Sequence, residues 1–185
     1  MAKLLFYCTK SKIRLFFDKL IKIFALGKIP SNNDLNGKIV AECDFEVEEK
    51  LNYGLARRSE LELKGTCLTM KQLDEYLPKH KDYDDKDVYY YIHIKNLHIF
   101  DKPKELSEYY TLNGRVDIEN VKVISKAPQN MMYAFELTQD AGLGYCKAYL
   151  NKNILISIHP EWLCKILNGE KTIEFRKKVL KEMLK

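Results

Sequence analysis

Lys171, Glu174 and Arg176 stand close together in the stretch Lys171-Thr-Ile-Glu-Phe-Arg176. An ammonium, a carboxylate and a guanidinium so near one another can do two kinds of chemistry. They can bind, the cations taking phosphates and the carboxylate accepting from the edge of a base. They can also react, with the carboxylate as a base toward water beside a lysine whose burial lowers its pKa. The plainer arrangement is a surface strand with a cross-paired Glu and Arg, which does neither.

The flanking sequence positions these residues. Ile154 to Ile158 is a β-branched apolar run stopped by His159-Pro160, which predicts a buried strand. Pro160 suits the first turn of a helix, where its missing N–H costs nothing. Trp162, Leu163, Ile166 and Leu167 recur at helical spacing, and Asn168-Gly169 supplies a left-handed stop. Residues 171–176 then alternate polar and apolar. On a strand Lys171, Ile173 and Phe175 share one side, with Lys171 at its rim, while Thr172, Glu174 and Arg176 form a polar row on the other.

Further candidates lie elsewhere. His93 sits in the aromatic strand Val88–Ile94, where its imidazole can bond a base edge or phosphate, or be satisfied by backbone. Thr9, Lys10, Gln129 and Asn130 follow expected strands at rim positions. Amide side chains suit the reading of a base edge, although Pro-Gln-Asn is also ordinary turn chemistry. Trp162 falls on the apolar face of its helix and reads as core, and His159 faces either a cleft or solvent. No Ser-His-Asp order, phosphate-cradling glycine loop or metal-ligand spacing stands out, and no cofactor is expected.

The 185 residues carry a net charge of +5, with 46% hydrophobic and 31% charged residues. These values describe one globular domain, mildly basic, for which an acidic partner such as nucleic acid is permitted but not required. No apolar run approaches the roughly 18 residues that cross a bilayer, and the start has too short an apolar core for a secretory signal. Cys8, Cys43, Cys67, Cys146 and Cys164 show neither Cys-x-x-Cys nor zinc spacing and read as free thiols in a reducing cytoplasm. Ser11 begins a helix over 11–24 with a broad apolar face from Ile13 to Phe24 and a basic opposite face. It reads first as a packed helix with snorkelling lysines, and otherwise as a surface for nucleic acid, membrane or a protein partner.

Several stretches together resemble the ASCH domain, a branch of the PUA-like superfamily. They are Leu155-Ile-Ser-Ile-His-Pro160 followed by Asn168-Gly-Glu-Lys-Thr-Ile-Glu-Phe-Arg-Lys177, with Phe6-Tyr-Cys-Thr-Lys10, Leu35 to Cys43, Thr66-Cys-Leu-Thr69, Tyr91 to Leu97, Phe100 to Leu106 and Ala127-Pro-Gln-Asn130. In the family the Ser-Ile-x-Pro to Glu-x-Arg-Lys stretch comes first, whereas here it comes last. The chain therefore reads as a circular permutant, with the family's opening motif at 153–177, its remainder at 3–137 and the join at 138–152. Permutation is tolerated where old termini lie close together and new ones fall on a surface connection.

The resemblance implies an α+β fold, a PUA-like small β-barrel with short helices around it, as a single domain over 1–185. It also implies a nucleic-acid-binding role, for RNA or a modified nucleobase. Lys10, Lys171, Arg176 and Lys177 would then contact phosphates, and Glu174, His93 and Asn130 would read a base, with Thr9, Gln129 and Thr172 beside them. One branch of the family hydrolyses an amide on an acylated cytidine, with the Lys of Gly-x-Lys-Thr-Ile, a Thr three positions later and a Glu from the body of the domain. Here the Lys is Lys171, but the Thr position is Glu174, and Glu60 and Glu62 both fall in the neighbourhood of the third residue. That replacement weighs against an enzyme and leaves Lys171 and Glu174 as the pair that would react.

Overall fold

Two apolar runs, Leu4–Cys8 and the latter half of Lys147–Ile158, pair side by side and set the arrangement of the strands around them. The computed structural model describes residues 2–9, 35, 37–52, 63–76, 87–112, 121–140 and 147–184. Among these residues there are eight strands: β1 (Leu4–Cys8), β2 (Ile39–Asn52), β3 (Asp87–Lys104), β4 (Tyr110–Leu112), β5 (Val121–Val123), β6 (Met131–Asp140), β7 (Lys147–Ile158) and β8 (Ile173–Arg176). The described residues also hold two α-helices, α1 (Met70–Tyr76) and α2 (Pro160–Leu167), with 3₁₀ turns at Leu106–Glu108 and Lys181–Leu184. The strands hydrogen-bond in the order β5-β4-β6-β7-β1-β2-β3-β8. This is an α+β architecture dominated by one sheet. The order has two ends, and no ladder joins β5 to β8 among the described residues.

The chain divides into two compact units, Met1–Asp44 with Asn96–Cys164, and Phe45–Lys95 with Lys165–Lys185. In the first, β1 runs parallel to β7 from Leu4↔Ile154 to Cys8↔Ile158 and antiparallel to β2. Every residue of β1 is buried. A strand covered on both faces has no use for alternation, which is why its sequence is continuously apolar. Leu5, Tyr7, Ile39, Phe100, Tyr109, Ile124, Ala134 and Leu155 form one core. On β1 burial pushes the Cys8 thiol up to about 12, as expected of an inert buried thiol.

β6 and β7 form a ladder from Met131↔Ile156 to Asp140↔Lys147. β7 therefore starts well upstream of the Ile154–Ile158 run. The segment expected as the join, 138–152, supplies the end of β6 and the start of β7, with residues 141–146 outside the described ones. Pairing partners recruit polar Asn151 and Lys152 into the ladder, and periodicity carries no signal for that. The apolar pattern of Val116–Ser125 predicts a strand there, and the described residues show it over Val121–Val123, while β4 carries no clear signal in the sequence. β3 runs without interruption through Asn96, which takes a left-handed φ of 48° and donates to Asp44 at 2.8 Å.

In the second unit, Leu63, Leu73, Tyr89, Tyr91 and Phe175 make the core. Tyr89 and Phe175 ring centroids are 5.0 Å apart. Thr69 is a residue type suited to cap a helix, and it caps α1: its hydroxyl accepts from the Gln72 N–H at 3.2 Å while the Gln72 amide oxygen accepts from the Thr69 N–H at 2.9 Å. This reciprocal cap fixes the helix start. Pro78 predicts that this helix stops at Leu77, a position outside the described residues, as are the helix expected over 11–24 and Glu60 and Glu62.

Candidate functional site

A turn over Leu63–Thr69 and the connection from α2 to β8 build the site together. Helix α2 ends at Gly169, φ 72°, whose N–H donates to the Ile166 carbonyl at 2.9 Å. The Glu170 and Lys171 N–H groups both donate to the Lys165 carbonyl, at 2.9 and 3.0 Å. This is a left-handed helix stop of the kind Asn-Gly encodes. The chain then meets the turn. The Gly65 carbonyl, on a residue with φ 86°, accepts from Thr172 N at 2.8 Å and Ile173 N at 3.0 Å, and the Cys67 thiol donates to the Glu170 carbonyl at 3.3 Å.

Thr66 is fully buried, and its side chain organises the turn. Its hydroxyl donates to the Leu63 carbonyl at 2.7 Å and accepts from the Leu68 N–H at 3.2 Å. Its own carbonyl accepts from Lys171 Nζ at 2.7 Å. Lys171 Nζ also lies 3.4 Å from Glu174 Oε2, and Arg176 Nε lies 2.9 Å from Glu174 Oε1. Lys171 is only 3% exposed and Glu174 only 7%. The result is a short charged row, Lys171–Glu174–Arg176, with the carboxylate between two cations.

β8 pairs with β3 so that Phe175 faces Tyr91 and Ile173 faces His93, while Glu174 faces Ile92 and Arg176 faces Tyr90. Opposed residues share a face, so Glu174 and Arg176 lie on one side and Phe175 with His93 on the other. Lys171 was expected on the Phe175 side and reaches Glu174 instead. The strand begins only at Ile173, so the two-residue alternation does not extend back to Lys171 and Thr172. Thr172 leaves the polar row for the same reason. Its hydroxyl oxygen lies 2.6 Å from where a Cβ on Gly65 would stand.

His93 does not join the Glu174 row. Its Nε2 is 3.2 Å from Glu48 Oε2, and Lys50 Nζ is 2.6 Å from the other oxygen of that carboxylate. Lys50 and His93 hold Glu48 below the usual carboxylate range. Thr9, Gln129 and Asn130 belong to the first unit, gathered at one end of β7. Thr9 N donates to the Ile158 carbonyl at 3.1 Å, Ser157 N to the Asn130 carbonyl at 3.4 Å, and the Ser157 hydroxyl to the Pro128 carbonyl at 2.7 Å. Gln129 and Asn130 are exposed there. Lys10 lies outside the described residues.

No family model matches the chain, and no curated protein or solved structure matches it. The site is therefore read from its own groups. Thr66 and Gly65 escaped the sequence reading as functional residues, because a threonine that acts through its carbonyl leaves no signature of type or spacing. Among the described residues, no group of three or more His, Cys, Asp or Glu side chains is arranged to hold a metal ion, and no helix is long and apolar enough to cross a membrane.

Burial pushes the Lys171 pKa below its ordinary 10.5, against the pull of Glu174, which raises it. Between that depressed value and 10.5 the unfolded chain binds more protons at this lysine than the native one. The contribution of Lys171 to stability therefore rises with pH across that window. Lys171→Met is expected to remove that rise. The measurement is the difference in unfolding free energy between wild type and variant as pH is raised from neutral toward 10.5, and a difference independent of pH would contradict it.

Proposed function

We propose that the chain is a nucleic-acid-binding module of ASCH or PUA-like type, acting on RNA or a modified nucleobase. The observation that carries the reading is the Glu174 carboxylate, fixed between Lys171 and Arg176 on a strand at one end of the sheet order. An acceptor whose position is set by two cations suits the amino or imino N–H of a base, as amides and carboxylates do in base-edge readout. Arg176 and exposed Lys177 serve phosphates. Lys171 takes a different part from the one its charge suggests. Its ammonium is buried and engaged by Thr66 and Glu174, so it holds the reader rather than the backbone of the ligand. Gln129 and Asn130 offer exposed amides in the first unit. Among the described residues Cys8, Cys43, Cys67 and Cys164 stand outside any disulfide, which suits a reducing cytoplasm.

The test is anisotropy of labelled single-stranded RNA, duplex RNA and DNA across a salt series. Binding is expected to weaken steeply with salt, and Arg176→Ala to weaken it by about tenfold while flattening the salt slope. Glu174→Gln, which keeps shape but exchanges an acceptor for an amide, is expected to change base preference more than salt dependence. Salt-independent binding, or none, would sink the reading.

The depressed pKa of Lys171, 3.4 Å from a carboxylate, favours one second reading: an amidohydrolase for acylated nucleosides with Glu174 as base toward water. Absence of product at high protein concentration ends it. A protein-binding role for the helix expected over 11–24 rests on sequence alone.

A further inference from the structure

Tyr76, the last residue of α1, is 43% exposed, unusual among the large apolar side chains described here. Its ring stands edge-on to Phe175, centroids 5.4 Å apart and planes at 76°. Phe175 is buried with Tyr89 and Tyr91, so one edge of the exposed ring is fixed to the core. Lys177 Nζ lies 4.3 Å from the Tyr76 centroid. The ion pairs described in this unit include those of Lys50, His93, Lys95, Lys171 and Arg176. Exposed Lys177, Lys178 and Lys181 take part in none of them.

An anchored aromatic face beside exposed cations is the arrangement that single-stranded nucleic acid uses, because every base has a π-face and every step has a phosphate. We propose that Tyr76 and Lys177 form a stacking step for single-stranded RNA, with a base on the Tyr76 ring in the place of the Lys177 ammonium and that ammonium turned to the adjoining phosphate. This rests on the nucleic-acid reading above and adds a second contact to it. A surface cation–π pair is weak enough to exchange for a stacked base. Duplex RNA keeps its bases stacked on one another, so the step selects single strands.

The placement relative to Glu174 follows from β8. Phe175, and with it Tyr76, lies on the face opposite Glu174 and Arg176, yet Arg176 and Lys177 are consecutive residues. β8 ends the hydrogen-bonded order. A single strand passing the end of β8 reaches Arg176 on one side and Lys177 with Tyr76 on the other.

The experiment compares the full chain with Tyr76→Leu, Tyr76→Phe and Lys177→Ala. The probes are a labelled oligouridylate of about eight nucleotides, within the usual site size, and an abasic strand of equal length. Tyr76→Leu is expected to weaken oligouridylate binding roughly tenfold, and Tyr76→Phe to leave it unchanged. Wild type is expected to bind the abasic strand no better than Tyr76→Leu does. Lys177→Ala is expected to reduce the salt slope by about 0.7, the value of one phosphate on a single strand. Equal affinity of wild type for the two strands overturns the proposal without any variant, so a Tyr76→Leu protein that fails to fold does not shelter it. RNA binding that Arg176→Ala weakens and Tyr76→Leu does not would overturn this step alone. No RNA binding by wild type overturns it together with the reading on which it rests, and preference for an acidic peptide over oligouridylate would replace it with a protein-docking surface.

Discussion

Replacing Glu174 with leucine is expected to lower the free energy of unfolding by about 3–5 kcal/mol, the usual cost of removing one member of a buried ion pair. The size follows from burial. The Lys171 and Glu174 side chains are 3% and 10% exposed, and the ammonium also donates to the Thr66 carbonyl. Without the carboxylate, Lys171 must either keep a buried charge or lose its proton on folding. The surface pair Lys95–Glu46, at 49% and 67% exposure, provides the contrast. Glu46→Ala is expected to cost little, as exposed ion pairs do. Lys171→Met combined with Glu174→Leu should recover much of the loss, since an apolar pair of similar volume is often neutral in place of a buried ionic one. Urea denaturation of wild type, both single variants and the double variant measures the coupling. A Glu174→Leu loss no larger than that of Glu46→Ala would mean that the row is held by packing, not charge, and would weaken the case that Glu174 is fixed for reading a ligand.

The elements around this row were legible where one local signal governs them. Pro160, the apolar spacing from Trp162 to Leu167 and Asn168-Gly169 mark α2 and its stop. Thr69 and Gln72 mark the start of α1, and the apolar run of β1 marks a strand buried on both faces. What was not legible depends on partners distant in sequence. Lys171 changes sides because the Gly65 carbonyl, over a hundred residues away, captures Thr172 and Ile173 and delays the start of β8. His93 is drawn to Glu48 by the neighbouring strand, and β7 lengthens because β6 offers a ladder. The types Lys171, Glu174 and Arg176 were recognisable as a cluster from sequence. Their division into a holder, an acceptor and a flanking cation was not, because burial and distant partners decide it.

Gly65→Ala is expected to be the second most damaging of these changes, at about 2–3 kcal/mol, and Gly169 supplies its control. Both glycines are left-handed, φ 86° and 72°, so alanine at either carries the backbone cost of about 1 kcal/mol that L side chains meet there. Their surroundings differ. A Cβ at Gly169 meets nothing within 4 Å, whereas at Gly65 it would stand 2.6 Å from the Thr172 hydroxyl oxygen and 3.4 Å from Ile173. Thr172 must then rotate or move, and Thr172 is the residue whose N–H pairs with the Gly65 carbonyl beside Lys171. Overpacking of this kind adds roughly 1–2 kcal/mol. Adding Thr172→Ala to Gly65→Ala removes the nearest obstruction but not the backbone strain, so it should restore the steric share and leave a loss similar to that of Gly169→Ala. Thermal and urea unfolding of the three variants separates the two shares. Equal losses at Gly65 and Gly169 would show that the turn yields freely. In that case the Thr66 carbonyl is no rigid seat for Lys171, and the Glu174 carboxylate is held by Arg176 alone.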